Sequence, residues 1–95
     1  MKVVWGRRAR RDLYKLISYI AEESLQAAEL VSNRIDDATH FLAVMPGSGR
    51  PGRVTGTREL VISRTPYILV YRIKSNSVRI IRVYHAARRW PTRFE

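Results

Sequence analysis

The sequence predicts an α+β domain of order β-α-α-β-β-β, in which an antiparallel helical hairpin packs on one face of a small twisted, mostly antiparallel sheet. Three observations predict it. Two consecutive stretches repeat apolar residues at three- and four-residue steps between residues 9 and 45, three β-branched and aromatic runs follow residue 57, and the connections between those runs are short enough to demand a meander. Residues 1–95 suffice for a single domain with one core.

Taken in order, Lys2-Val3-Val4-Trp5 is short and β-prone and reads as a first strand, set off by Gly6. Ala9, Leu13, Leu16, Ile17, Ile20 and Ala21 then form one helical stripe. Glu22-Glu23-Ser24 breaks the pattern, and Ser24 is placed to cap a second helix whose stripe runs through Ala28, Val31, Ile35, Ala38, Leu42 and Met45 before Pro46-Gly47 stops it. Helices joined so tightly pack antiparallel, so both stripes need a sheet to cover them. Thr57–Ser63, Pro66–Ile73 and Val78–His85 supply it. The middle run is apolar on both parities from Tyr67 to Tyr71, as in an interior strand covered on both faces, and the first strand is left to pair at an open edge.

Charge narrows the function. Residues 1–37 carry seven Lys/Arg against six Asp/Glu, whereas residues 38–95 carry eleven against two, so nearly all of the net +10 lies in the C-terminal half. Fifteen of the eighteen cations are arginine, whose planar fork matches phosphate and carboxylate, and the implied partner is acidic. With no cysteine there is no disulfide framework or thiolate metal site, and no metal or other cofactor is expected. No apolar run approaches the roughly 18 residues of a membrane span, and the N-terminus has no export-signal pattern, so a cytoplasmic setting is expected and a membrane partner is not.

The segment from Pro46 to Thr57 holds four of the five glycines and reads as a loop. Its Gly47-Ser48-Gly49-Arg50-Pro51-Gly52 spells a G-x-G-x-x-G, but the dinucleotide fingerprint needs a strand before and a helix after, and here the order is reversed. Arg7, Arg8, Arg10 and Arg11 crowd the first turns of the first helix, where the helix dipole makes cations unfavourable by a few tenths of a kcal/mol each. Stability alone favours acids there. The stretch from Val78 to Trp90 raises a further question, since a core-type strand runs out into His85, Arg88, Arg89 and Trp90. A metal-free ribonuclease needs a base, an acid and cations for the developing phosphorane charge, and Glu59, Arg82 and His85 are the available candidates. Arg82 and His85 stand an odd number of residues apart and point to opposite faces of a regular strand, so convergence requires a bulge or the strand's end.

Val3-Val4-Trp5 with Ala9 and Asp12-Leu13, Ala27-Ala28, Gly49–Leu60, Pro66–Ile73 and the His85-x-x-Arg88-x-Trp90-Pro91 ending follow one another along the chain. In these elements and their order the whole chain resembles the RelE/ParE superfamily of type II toxin–antitoxin toxins, particularly its ParE-like branch. The resemblance implies a β-α-α-β-β-β toxin held inactive by a cognate antitoxin with an acidic C-terminal segment, in a toxin–antitoxin hetero-oligomer of the kind associated with plasmid stabilisation. It puts the antitoxin on the helices and sheet edge, with Arg7, Arg8, Arg11, Leu16, Tyr71 and Arg72 as contacts. RelE-like members cut mRNA on the ribosome and often carry an arginine before Leu-Val-Tyr and a tyrosine after the terminal histidine; here Ile68 and Ala86 stand at those places. ParE-like members inhibit DNA gyrase without a known catalytic constellation. By that resemblance Arg50, Arg53, Arg82, His85, Arg88, Arg89 and Trp90 form a target-contacting cationic face and no catalytic residue is expected; the nuclease alternative uses Glu59, Arg82 and His85.

Overall fold

In a computed structural model that describes residues 1–94, the order is β1 (Lys2–Trp5), α1 (Arg7–Glu23), α2 (Leu25–Val44), a 3₁₀ turn (Pro46–Ser48), β2 (Arg50–Pro51), β3 (Arg58–Val61), β4 (Tyr67–Lys74) and β5 (Ser77–His85). The predicted helices and four long strands are all present. A fifth strand, β2, is added at the edge by two residues of the glycine-rich segment. The sheet runs β1-β5-β4-β3-β2 and is antiparallel throughout except where β1 pairs parallel with β5. Pro51 is tolerated in β2 because an edge strand can turn a side without N–H to solvent.

Ser24 is the single residue between the helices, and its hydroxyl accepts the Ala27 N–H at 3.0 Å, a cap worth about 1 kcal/mol. The hairpin from β4 to β5 closes on Ser75-Asn76, both at positive φ (50° and 62°), the geometry that matches the twist of the flanking strands. Ala9 of α1 and Ile35 and Leu42 of α2 meet Leu69, Tyr71, Val78, Ile80 and Val83 of the sheet in one fully buried core.

Register decides which side chains face the helices. Leu69 and Tyr71 of β4 oppose Val83 and Ile80 of β5 on the helix side, whereas Ile68 and Val70 oppose Tyr84 and Arg82 on the second face. Between Val70↔Arg82 and Tyr71↔Ile80 the ladder skips Ile81, a β-bulge that brings both Ile80 and Val83 to the core. The bulge precedes Arg82, so it leaves the Arg82–His85 parity untouched: His85, opposite Tyr67, shares the helix side and Arg82 the other. Glu59, Val70 and Arg82 lie in one cross-strand row on that second face. Glu59, Arg82 and His85 are thus not brought together.

Candidate functional site

After His85 the chain reverses. The His85 carbonyl accepts the Arg88 N–H at 2.9 Å, Nδ1 of its ring accepts the Ala87 N–H at 3.0 Å, and the Ala86 N–H is held by the Pro66 carbonyl at 2.7 Å. These bonds turn the tail back across the second face of the sheet. There Trp90 stands edge-on to Tyr84, with ring centroids 5.0 Å apart, and Phe94 packs on the same tyrosine at 5.7 Å. Tyr84, only 2% exposed, is therefore a floor. Above it lie the guanidinium groups of Arg88 at 4.3 Å and Arg82 at 4.6 Å, while that of Arg53 lies 3.7 Å over Trp90. A cleft of about 450 Å³ results, its wall carrying Arg8, Arg82, Arg88, Arg89 and Arg93.

Two acids fix this array. β1 ends opposite Ile80, so β5 beyond it has an open edge. Asp12 of α1 fills the gap: its Oδ2 accepts the Val83 N–H at 3.0 Å and the Arg82 Nε–H at 2.7 Å, and its Oδ1 accepts from Arg82 Nη2 at 3.0 Å. The pair is largely shielded, with side chains 12% and 16% exposed. Hydrogen bonding to the Asp12 carboxylate, against the opposing effect of burial, raises the Arg82 pKa above the ordinary guanidinium value. Arg82 is thus tied to an internal acid, and it reaches the cleft as a neutralised member.

The second acid is Glu59, whose side chain is 1% exposed. Its Oε1 takes Arg50 Nη2 at 3.0 Å and lies 3.4 Å from Arg53 Nε, and its Oε2 accepts the Arg53 backbone N–H at 2.8 Å. Burial alone pushes the Glu59 carboxyl up, but the Arg53 N–H and the two guanidinium groups outweigh it and hold the pKa below the ordinary carboxylate value. The glycine-rich segment is thereby a built structure. Tyr71 anchors its other end, donating its O–H to the Pro46 carbonyl at 2.7 Å and accepting the Gly49 N–H at 2.9 Å. Gly49 is required there, because a Cβ would sit 2.6 Å from the Tyr71 oxygen and 2.9 Å from the Glu59 carbonyl.

Of the residues singled out from sequence, Arg82, Arg88, Arg89 and Trp90 line one cleft, Arg53 stacks on its tryptophan, and Arg50 stands behind on Glu59. His85 stays on the far face against Tyr67, with centroids 5.6 Å apart, where it sets the turn of the tail. Tyr71 corrects an expectation: it is fully buried, gripping the glycine-rich segment, and has no surface for an antitoxin. Arg7, Arg8 and Arg11 are exposed; Leu16 and Arg72 are half-buried. Sequence reasoning passed over Asp12, Tyr84, Arg93 and Phe94 as parts of this array. Arg93-Phe94 repeats the arginine–aromatic pair Arg89-Trp90 on the far side of Pro91, and Asp12 is the lone acid among the first twenty-one residues, signals that were present in the chain.

Arg8 borders the cleft from the first turn of α1, a turn with no acid in it. Arg8→Glu replaces an unfavourable interaction with the helix dipole by a favourable one and should raise stability by about 1 kcal/mol at low salt. Thermal unfolding at low and high salt checks this, and an unchanged or lowered midpoint at low salt would contradict it.

Residues 3–90 match the family described as ParE toxin of type II toxin-antitoxin system, parDE. The chain is 46% identical over 90 residues to Y4kP of Sinorhizobium fredii, covering 95% of this chain and 93% of that one. It is 39% identical over 87 residues to Toxin RelE2 of Caulobacter vibrioides, covering 92% and 97% of the two chains. Among solved structures, a chain of the chromosomal ParDE system from P. aeruginosa superposes with a TM-score of 0.78 at 27% identity, over 90% of this chain and 95% of the other. An α–α hairpin on this sheet, closed by a basic tail, and a family match spanning nearly the whole chain lead to one identification: the protein belongs to the ParE toxin family, in the RelE/ParE superfamily of type II toxin–antitoxin systems.

Proposed function

We propose that this toxin arrests growth by poisoning DNA gyrase in the cytoplasm, through the arginine-lined cleft, and is neutralised by a cognate antitoxin in a hetero-oligomer. The observation that carries the reading is the arrangement of the cleft. Arg82 and Arg88 are stacked on Tyr84 and Arg53 on Trp90, with Arg82 fixed by Asp12 and Arg53 by Glu59, while among the described residues no base, acid and cation converge on one point. Such a site binds and holds; general acid–base cleavage needs groups within hydrogen-bond reach of one phosphate. Glu59 has both oxygens engaged inside the fold, and His85 lies on the opposite face of the sheet.

The antitoxin's place in this reading is the helical side. Between α1 and the sheet, Leu16, Tyr19, Tyr67 and Val83 form an apolar groove flanked by Lys15 and Arg88, suited to the apolar face of an acidic segment. Arg7, Arg8 and Arg11 are exposed on the same helix as Lys15, Leu16 and Tyr19, with Arg8 bordering the arginine-lined cleft. Relatives named RelE favour the ribosome-dependent mRNA nuclease as a second reading.

One experiment separates the two. On induction without antitoxin, the gyrase reading expects an SOS response, cleaved supercoiled DNA in a gyrase assay, and loss of both in Arg88→Glu/Arg89→Glu with folding intact. Translated mRNA cut in the ribosomal A site, with cutting lost in His85→Ala, would instead establish the nuclease.

A further inference from the structure

The central ring of the cleft is not free to stack on a ligand. Tyr84 is buried beneath the guanidinium groups of Arg82 and Arg88 and Trp90 lies beneath that of Arg53, so beside the half-buried Phe94 the site presents mainly guanidinium N–H groups, with Arg88 held by stacking and its donor edge free of any acid among the described residues. Stacking holds a guanidinium in place and leaves its donor fork open, which is the geometry for anionic oxygens and not for reading a base or gripping an apolar side chain. Among the described residues, no carboxylate pairs with Arg8, Arg88, Arg89 or Arg93. Asp12, at the rim, already has both oxygens engaged by Arg82 and the Val83 N–H. The first turn of α1 adds the positive end of a helix dipole on the Arg8 side. Four uncompensated cations in one shallow cleft repel one another, and a ligand that neutralises them together carries closely and regularly spaced charges. A sugar–phosphate backbone does so; an isolated protein carboxylate meets one fork.

We infer that the cleft is a sequence-independent site for the phosphate backbone of duplex DNA, contacted directly by the toxin. Which DNA it meets in the cell rests on the gyrase reading, but its affinity for the backbone does not.

Fluorescence anisotropy of the full chain with labelled duplexes of about 20 base pairs, in two unrelated sequences and across about 50 to 250 mM NaCl, tests this. Equal binding of both sequences is expected, with a log–log salt slope of about −3, as three to four phosphates require. Arg88→Glu/Arg89→Glu, with circular dichroism confirming the fold, should weaken binding by about tenfold or more and flatten the slope by about 2. Arg72→Glu/Arg79→Glu removes the same charge from the far end of the same sheet face and should stay close to wild type. Equal losses in both double variants would reduce the effect to net charge and overturn the site. Tighter binding of poly-glutamate, or tenfold tighter binding of RNA of the same length, would overturn it as well. If DNA does not bind while gyrase is still poisoned in an Arg88/Arg89-dependent way, the inference fails and the gyrase reading survives. If DNA binds but gyrase is untouched, the reverse holds.

Discussion

Asp12→Ala is expected to lower the unfolding free energy by about 2–4 kcal/mol, somewhat less than breaking one side of a fully buried ion pair costs, because the two side chains keep 12% and 16% of their surface exposed. For a domain of this size that is a drop of roughly 15 °C in thermal midpoint. The change strands three donors at once: Arg82 loses its bidentate partner, and the Val83 N–H at the open edge of β5 loses its acceptor. A buried donor left without a partner costs more than the bond itself contributed. Arg82→Met in the Asp12→Ala background should restore part of the loss by removing the stranded charge, and chemical unfolding of the four proteins of this cycle measures the coupling. Should Asp12→Ala unfold within about 0.5 kcal/mol of wild type, the closure of the β5 edge by this carboxylate has no energetic weight.

Glu59→Gln is the second large effect, about 2 kcal/mol at neutral pH, because the amide can keep one acceptor but not the charge that holds Arg50, Arg53 and the Arg53 N–H together. The two arginine side chains are 56% and 43% exposed, so solvent screening reduces what each pair contributes, and the buried backbone bond carries much of the remainder. Since folding lowers the Glu59 pKa, the native protein binds fewer protons than the unfolded chain near that value. Its contribution is complete above the unfolded pKa of about 4.3 and disappears as pH falls through the lower folded value. Wild type should therefore lose stability on acidification through that window, and Glu59→Gln should show a flatter profile there. Parallel profiles in urea-unfolding series at each pH would exclude Glu59 as the titrating group. Release of Arg53 from Trp90 should also alter tryptophan emission in the variant.

What could be read from the chain was what is decided locally. Ser24 announces a helix start by its own hydroxyl, and the stripes of Ala28, Ile35 and Leu42 and the alternation around Leu69 and Val83 follow from periods of 3.6 and 2. The bulge at Ile81 was not legible, because it answers to packing: two residues of β5 must share one place opposite β4 for both Ile80 and Val83 to reach the core. Strand β2 escaped notice as a Pro-containing dipeptide whose pairing is defined by β3. At the candidate site, charge asymmetry located the basic tail, but not which arginines are already engaged. Arg82 meets Asp12 across 70 positions of sequence, a separation at which periodicity carries no information. His85 shows the same limit, since its chemistry suggested a base while its ring nitrogen accepts a backbone N–H two residues on.

The parallel pairing of residues 2–5 with residues 77–80 bears on how the chain comes into being. During synthesis residues 2–5 emerge first, yet the strand they pair with among the described residues is made more than 70 residues later, and loop closure over such a separation slows folding. The nascent chain thus carries both helical stripes without the strands that cover them, and none of the Arg88–Arg93 segment. The sheet that covers the helices is therefore complete only once residues 77–80 have been made and have found β1, and until then both apolar stripes stand without their cover.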